Sequence, residues 1–184
     1  MDQWRVTVLG DGGVGKTALA VQTYDPTIED AYRKQFVVDD RYVRASFFGI
    51  PRFAVMAAMW RSTQHSGING EGQGFILLYS ITSRSTFNRL EVFRQSVRRA
   101  KRGNPILLLV GNKCDRPLDR EVSREEGAAL ARQFGCDFFE TSAKTGLNVE
   151  RVFTALVCAL RPTKAISAGA KESAKDVKKK CIIL

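Results

Sequence analysis

The sequence predicts an α/β fold: a doubly wound, mainly parallel sheet with one antiparallel strand. Three observations predict it. Short apolar runs alternate with amphipathic helical stretches from residue 4 to residue 160, the pattern of strands joined by crossover helices. Two runs, GFILLYSI (74–81) and ILLLVG (106–111), are almost wholly apolar, as strands covered on both faces are. RKQFVVD (33–39) and RYVRASFF (41–48) meet around Asp39-Asp40 and read as a hairpin, which supplies the antiparallel strand.

The elements follow in order. WRVTVL (4–9) alternates and ends at Gly10, a first strand. A short helix runs from Lys16 to about Gln22, and the hairpin comes next. After the strand at 74–81, Phe87, Leu90, Phe93, Val97 and Ala100 lie along one stripe of a helix. Pro105 opens the strand at 106–111. Ser123 with Glu126 three residues on is a capping-box signal for a helix that reaches Phe134 before Gly135. CDFFET (136–141) is a strand. Val149, Val152, Phe153, Leu156, Val157 and Leu160 form the stripe of a last helix, which Pro162 stops. Residues 163–180 are rich in Lys and Ala with almost no large apolar residue and read as disordered. The expected division is a domain over 1–162, with an atypical segment at 41–71, and a basic tail over 163–184.

Composition narrows the function. A chain of 184 residues with 44% apolar content can bury a sizeable core. The start, MDQWRVTVLGDGG, lacks the basic flank and apolar run of a signal peptide, and no stretch approaches a membrane span. Four unclustered cysteines suggest reduced thiols. The net charge is +10, but residues 161–184 carry +5 and residues 41–70 carry +4. A nucleic-acid binder should carry its basic face on the folded body. No nucleic acid is expected.

GDGGVGKT fits G-x-x-x-x-G-K-[ST] and lies between a strand and a helix. In such a loop, which runs through Gly10, Asp11, Gly12, Gly13, Val14 and Gly15 to Lys16, Thr17 and Ala18, backbone N–H groups turn inward around a phosphate at a helix start. Lys16 would reach the outer phosphates and Thr17 Oγ1 would ligate Mg²⁺. A Gly-rich turn with a capping threonine would use the same residues. The motif implies a P-loop nucleotide-binding fold without naming the base.

NKCD (112–115) names it, following the buried strand at the edge where open α/β sheets bind ligands. The Asp115 carboxylate can accept from N1 and the 2-amino group of guanine, whereas adenine N1 is itself an acceptor. Lys113 can lay its stem across the base, and Asn112 opens the motif. TSAK (141–144) ends the next strand, bringing Ser142, Ala143 and Lys144, with the Ala143 N–H placed to donate to guanine O6. Taken alone, the first of these is also an ordinary polar loop and the second a helix entry. Three such motifs, each ending its own strand, are more specific than any one.

With these motifs the chain resembles the Ras family of small GTP-binding proteins, over residues 4–40 and 71–160. The resemblance implies a GTPase that binds GTP and GDP with Mg²⁺ and acts in signal transduction. YDPTIEDAYRKQ (24–35) is similar to the effector segment of the Ras and Rap branch. It implies that Thr27 closes on Mg²⁺ and the γ-phosphate, beside Thr17 as metal ligand, and that Lys16 and Thr27 are the catalytic candidates. Asp25, Ile28, Glu29 and Asp30 would face effectors, alongside exchange factors and activating proteins. KKKCIIL fits a C-a-a-X signal at Cys181, with leucine favouring geranylgeranyl. Three lysines would add roughly 1 kcal/mol each toward anionic lipid. A prenyltransferase and the cytoplasmic face of the plasma membrane are therefore the expected partner and place.

Two departures stand against the pattern. Only ten residues carry the chain from Thr17 to Thr27, fewer than in the family. A helix to Thr23 advances about 9 Å, and four extended residues return at most about 14 Å, so the geometry just closes. The family also places Asp-x-x-Gly-Gln after the hairpin. Here Gly49 stands for the Asp, Arg52 for the Gly and Phe53 for the Gln, within a 30-residue run that has no acid (41–70). No catalytic glutamine is identified, so hydrolysis is expected to be weak or absent. The run reads as a member that lost hydrolysis, as a site where Arg52 or Arg61 took over, or as a mis-spliced form. Beside a membrane-anchored switch stand a non-hydrolysing decoy and a P-loop kinase or ATPase.

Overall fold

The computed structural model describes residues 2–21, 32–38, 41–49, 72–101 and 104–161. Six strands form one sheet: β1 (Asp2–Leu9), β2 (Tyr32–Val38), β3 (Arg41–Gly49), β4 (Gly74–Ser80), β5 (Ile106–Asn112) and β6 (Asp137–Thr141). Their order is β2-β3-β1-β4-β5-β6. β1 pairs parallel with β3 and β4, β4 with β5 and β5 with β6, while β2 runs antiparallel to β3. The expected architecture, hairpin included, is therefore the observed one. After β1 the chain builds to one side, then returns to β4 on the other. That reversal opens a crevice at the carboxyl end of β1, where open sheets of this kind bind ligands.

Strand periodicity sorts the core into two layers. Trp4, Val6 and Val8 of β1, with Ile76 and Leu78 of β4, face the layer of α1 (Lys16–Val21) and the last helix, 149–161. Phe75, Leu77 and Tyr79 face the opposite layer. Every residue of β4 is buried, which explains its unbroken apolar run. The stripe predicted on the last helix is real, for Val152, Phe153, Leu156, Val157 and Leu160 are all inaccessible. Each such side chain contributes about 1.5–3 kcal/mol of burial, so this layer fixes the helix against the sheet.

The opposite layer departs from expectation. The stripe from Phe87 to Ala100 is not one helix but two, α2 (Arg84–Asn88) and α3 (Leu90–Ala100), parted at Arg89 with φ −87° and ψ −7°. Leu90, Phe93 and Val97 keep the buried face, whereas Phe87 is half-buried. Helical spacing of apolar residues survives a one-residue break, so periodicity could not reveal it. α4 (Arg124–Phe134) begins as predicted: Glu126 N–H donates to Ser123 Oγ at 3.2 Å, and Ser123 N–H donates to Glu126 Oε2 at 2.9 Å. Gly135 ends it in the left-handed region at φ 69°, where only glycine sits without strain.

Candidate nucleotide-binding site

The carboxyl ends of β1, β5 and β6 lie on one edge of the sheet, and the three motif loops leave from them. Gly10 to Gly15 turns between β1 and α1, with Gly13 at φ 74° and Gly15 at φ 95°. Val14 is wholly buried and pins the loop to the core, while Gly12, Gly13, Thr17 and Ala18 stay exposed. Lys16 folds back over the loop and donates from Nζ to Gly10 O at 3.0 Å and to Asp11 O at 2.7 Å. An ammonium carries three protons, so one remains for an anion lying in the loop. Burial lowers the Lys16 pKa from its usual value, and the Asp11 carboxylate opposes that shift.

Asn112 joins all three loops. Its Nδ2 donates to Val14 O at 2.8 Å, and its Oδ1 accepts from Ala143 N at 2.9 Å and from Thr141 Oγ1 at 3.3 Å. The Ala143 N–H expected to face guanine O6 is thus engaged by Asn112. Thr141, which sequence reasoning did not single out, closes the same cluster. Lys113, half-buried, has φ 69°, a conformation costing a non-glycine residue on the order of 1 kcal/mol. The turn it makes brings Asp115 over Ser142, whose Oγ donates to Asp115 Oδ1 at 2.6 Å. That bond lowers the pKa of the Asp115 carboxyl from its usual value. Lys144 is exposed at the rim.

The Ras family model matches residues 5–161, nearly the whole described body. The chain belongs to the Ras family. Among its relatives, Ras-like protein 1 of Pyricularia oryzae is 42% identical over 187 residues, covering 85% of this chain and 74% of the relative. Protein ras-2 of Neurospora crassa is 41% identical over 189 residues, covering 86% and 79%. Ras-like protein B of Aspergillus fumigatus is 36% identical over 206 residues, covering 93% and 83%. These alignments are longer than the 184-residue chain itself, so the relatives fill positions that this chain lacks. The short spacing from Thr17 to Thr27 implies a shortfall of that kind.

Ras family members are small GTPases, and the donor set fits their nucleotide. Gly15 leaves room that a β-carbon would fill against Asn112. Lys16 supplies a cation, and Asp115 supplies a paired-acceptor carboxylate. Among the described residues no group of three or more His, Cys, Asp or Glu side chains could hold a metal ion. A metal here would bind through phosphate oxygens and the Thr17 hydroxyl. Thr27, the effector candidates Asp25, Ile28, Glu29 and Asp30, the segment at 50–71 and Cys181 lie outside the described residues. A separate cleft of about 430 Å³ opens at the other edge of the sheet, between Arg94, Arg98, Pro105 and Phe134.

One contact escaped sequence reasoning altogether. Arg89, at the break between α2 and α3, pairs with Asp11 of the phosphate loop at 3.0 Å. No motif marks Arg89, and 78 residues separate the two.

Proposed function

We propose that this chain is a Ras-like signalling protein that selects guanine and binds GTP and GDP together with Mg²⁺. The observation that carries the reading is Asn112, whose one carboxamide ties the phosphate loop to the two loops that would read the base. Lys16 and the Gly10–Gly15 backbone would hold the phosphates, and Asp115, steadied by Ser142, would accept the two N–H groups of guanine. Mg²⁺, when bound, neutralises charge on the outer phosphate oxygens. The Ala143 N–H would serve guanine O6 by sharing its proton with Asn112.

Turnover should be slow. In-line attack needs an oriented water, and Phe53 stands where the family supplies a glutamine; Gln64, the nearest glutamine, lies outside any such motif. An activating protein's arginine normally adds about 10³–10⁵ in rate, and here it should add little. Asp25, Ile28, Glu29 and Asp30 would meet effectors. If Leu184 is the terminus of the mature chain, geranylgeranylation of Cys181 beside Lys178, Lys179 and Lys180 would place the protein on the cytoplasmic face of the plasma membrane. Cys181→Ser would then leave it in the soluble fraction.

Competition against a fluorescent guanine nucleotide tests the central claim. GDP and GTP should displace it and ATP should not, even at about hundredfold excess, and Asp115→Asn should turn preference toward xanthine. Equal competition by ATP would refute guanine selection. Single-turnover GTP hydrolysis, with and without a Ras-type activating protein, separates a working switch from a non-hydrolysing binder.

A further inference from the structure

We infer that Arg89 is a positioning residue for the phosphate loop, acting through Asp11. The inference rests on the reading of Gly10–Thr17 as a phosphate-binding loop, not on the choice of base. Three contacts of Asp11 bear on the loop. Its Oδ2 accepts from Arg89 Nη1 at 3.0 Å, its Oδ1 accepts from Gly12 N at 2.9 Å, and its carbonyl accepts from Lys16 Nζ at 2.7 Å. The Asp11 side chain is largely buried, 11% exposed, and the Arg89 side chain is 34% exposed. A single side chain from the other layer of the molecule is therefore linked, through one residue, to a loop N–H and to the loop's cation.

The chemistry gives the pairing a purpose. A buried carboxylate in a loop that must receive a polyphosphate repels its ligand, and low local dielectric strengthens that repulsion. A guanidinium stays charged at any working pH. Arg89 compensates the carboxylate while Asp11 shapes the loop at Gly12. The break at Arg89, flanked by the fully buried Leu90, places this cation at the head of α3, beside the loop.

Charge compensation and simple bracing predict different results. Without Arg89 but with Asp11, the loop gains net negative charge, so polyphosphates should leave faster, and more so the more charge they carry. Removing Asp11 as well takes away the repulsion. The effect should therefore reverse rather than add, the sign of a coupled pair. It should also shrink as salt rises, because a third of the Arg89 side chain is open to solvent.

The experiment measures dissociation of GTP and GDP and thermal protection by inorganic tripolyphosphate for the full chain and for Arg89→Ala, Arg89→Lys and Asp11→Asn/Arg89→Ala. Expected are roughly tenfold faster GTP release in Arg89→Ala, a smaller change for GDP and partial recovery in Arg89→Lys. The double variant should release GTP more slowly than Arg89→Ala. The inference is overturned if Arg89→Ala releases GTP and GDP with equal acceleration or none, or if the double variant is as fast as Arg89→Ala. Tripolyphosphate separates the two readings. If the parent shows no preference for guanine over adenine, the base assignment fails, and the same reversal measured with tripolyphosphate still decides the role of Arg89.

Discussion

A β-carbon on Gly15 would collide with Asn112 Nδ2, the atom that holds Val14 O at 2.8 Å. Gly15 also sits at φ 95°, where an L side chain is strained by about 1–3 kcal/mol. Two independent costs thus fall on one position, and the collision breaks the tie between the phosphate loop and the base-reading loops. Gly15→Ala should release guanine nucleotide at least tenfold faster and lower the urea midpoint. Gly12→Ala meets no atom within 4 Å and should leave the fold's stability near the parent's. A Gly15→Ala protein with unchanged nucleotide off-rate would show that Asn112 can move without consequence.

The second prediction concerns acid. Glu126 is held by Arg84 across two helices and by the Ser123 N–H, and its pKa falls to about 2. A carboxyl depressed in the folded state contributes stability above its unfolded pKa, near 4.5, and that contribution is lost as pH falls through about 2. The urea midpoint should therefore decline from about pH 5 toward pH 2, and Glu126→Gln should flatten that decline. Ser123→Ala, which removes the other half of the capping box, should cost about 1 kcal/mol at neutral pH. A Glu126→Gln protein whose pH profile matches the parent's would remove Glu126 from the account.

The third concerns the layer under NKCD. An alanine β-carbon at Gly127 would come within 2.6 Å of Tyr79 Oη and 2.5 Å of Phe138 Cζ. In an exposed helix, Gly→Ala gains about 1 kcal/mol. Overpacking a filled core costs about 1–3 kcal/mol, and here both neighbours are rings with little freedom to yield. The clash should win, so Gly127→Ala should destabilise by about 1 kcal/mol in urea unfolding. Adding Tyr79→Phe removes one of the two close atoms and should recover part of the loss. Full additivity of the two substitutions would show that they do not meet.

How much of this was legible follows from the range of each interaction. The capping box, the uninterrupted β4 and the stripe of the last helix are local, and local spacing records them. The three loops could be placed because each follows a strand, and parallel strands share one carboxyl edge. What could not be read was side-chain choice across that edge. Asn112 offers a donor and an acceptor, and nothing in NKCD says that Oδ1 takes the Ala143 N–H. The break at Arg89 hides inside an apolar stripe whose spacing is unchanged, and its bond to Asp11 spans both layers of the fold.

The last prediction joins base recognition to pH. Guanine offers Asp115 two N–H donors, so recognition requires an ionised carboxylate, since a protonated one loses an acceptor and gains a competing donor. Ser142 Oγ donates to Asp115 Oδ1 at 2.6 Å and is the largest cause lowering that carboxyl's pKa. A depressed pKa means that Asp115 stays ionised as the solution is acidified past the ordinary aspartate range near 3.9. Preference for GDP over ADP should consequently hold unchanged from neutral pH down to about pH 5, well above that range. In Ser142→Ala the hydroxyl is gone, and the acid limb of the preference should move upward while affinity at neutral pH falls by less than about tenfold, the loss of one charge-assisted hydrogen bond. Binding measured by competition across the pH series decides the matter. An acid limb that does not move in Ser142→Ala would mean that another group, not Asp115, sets the pH dependence of guanine recognition.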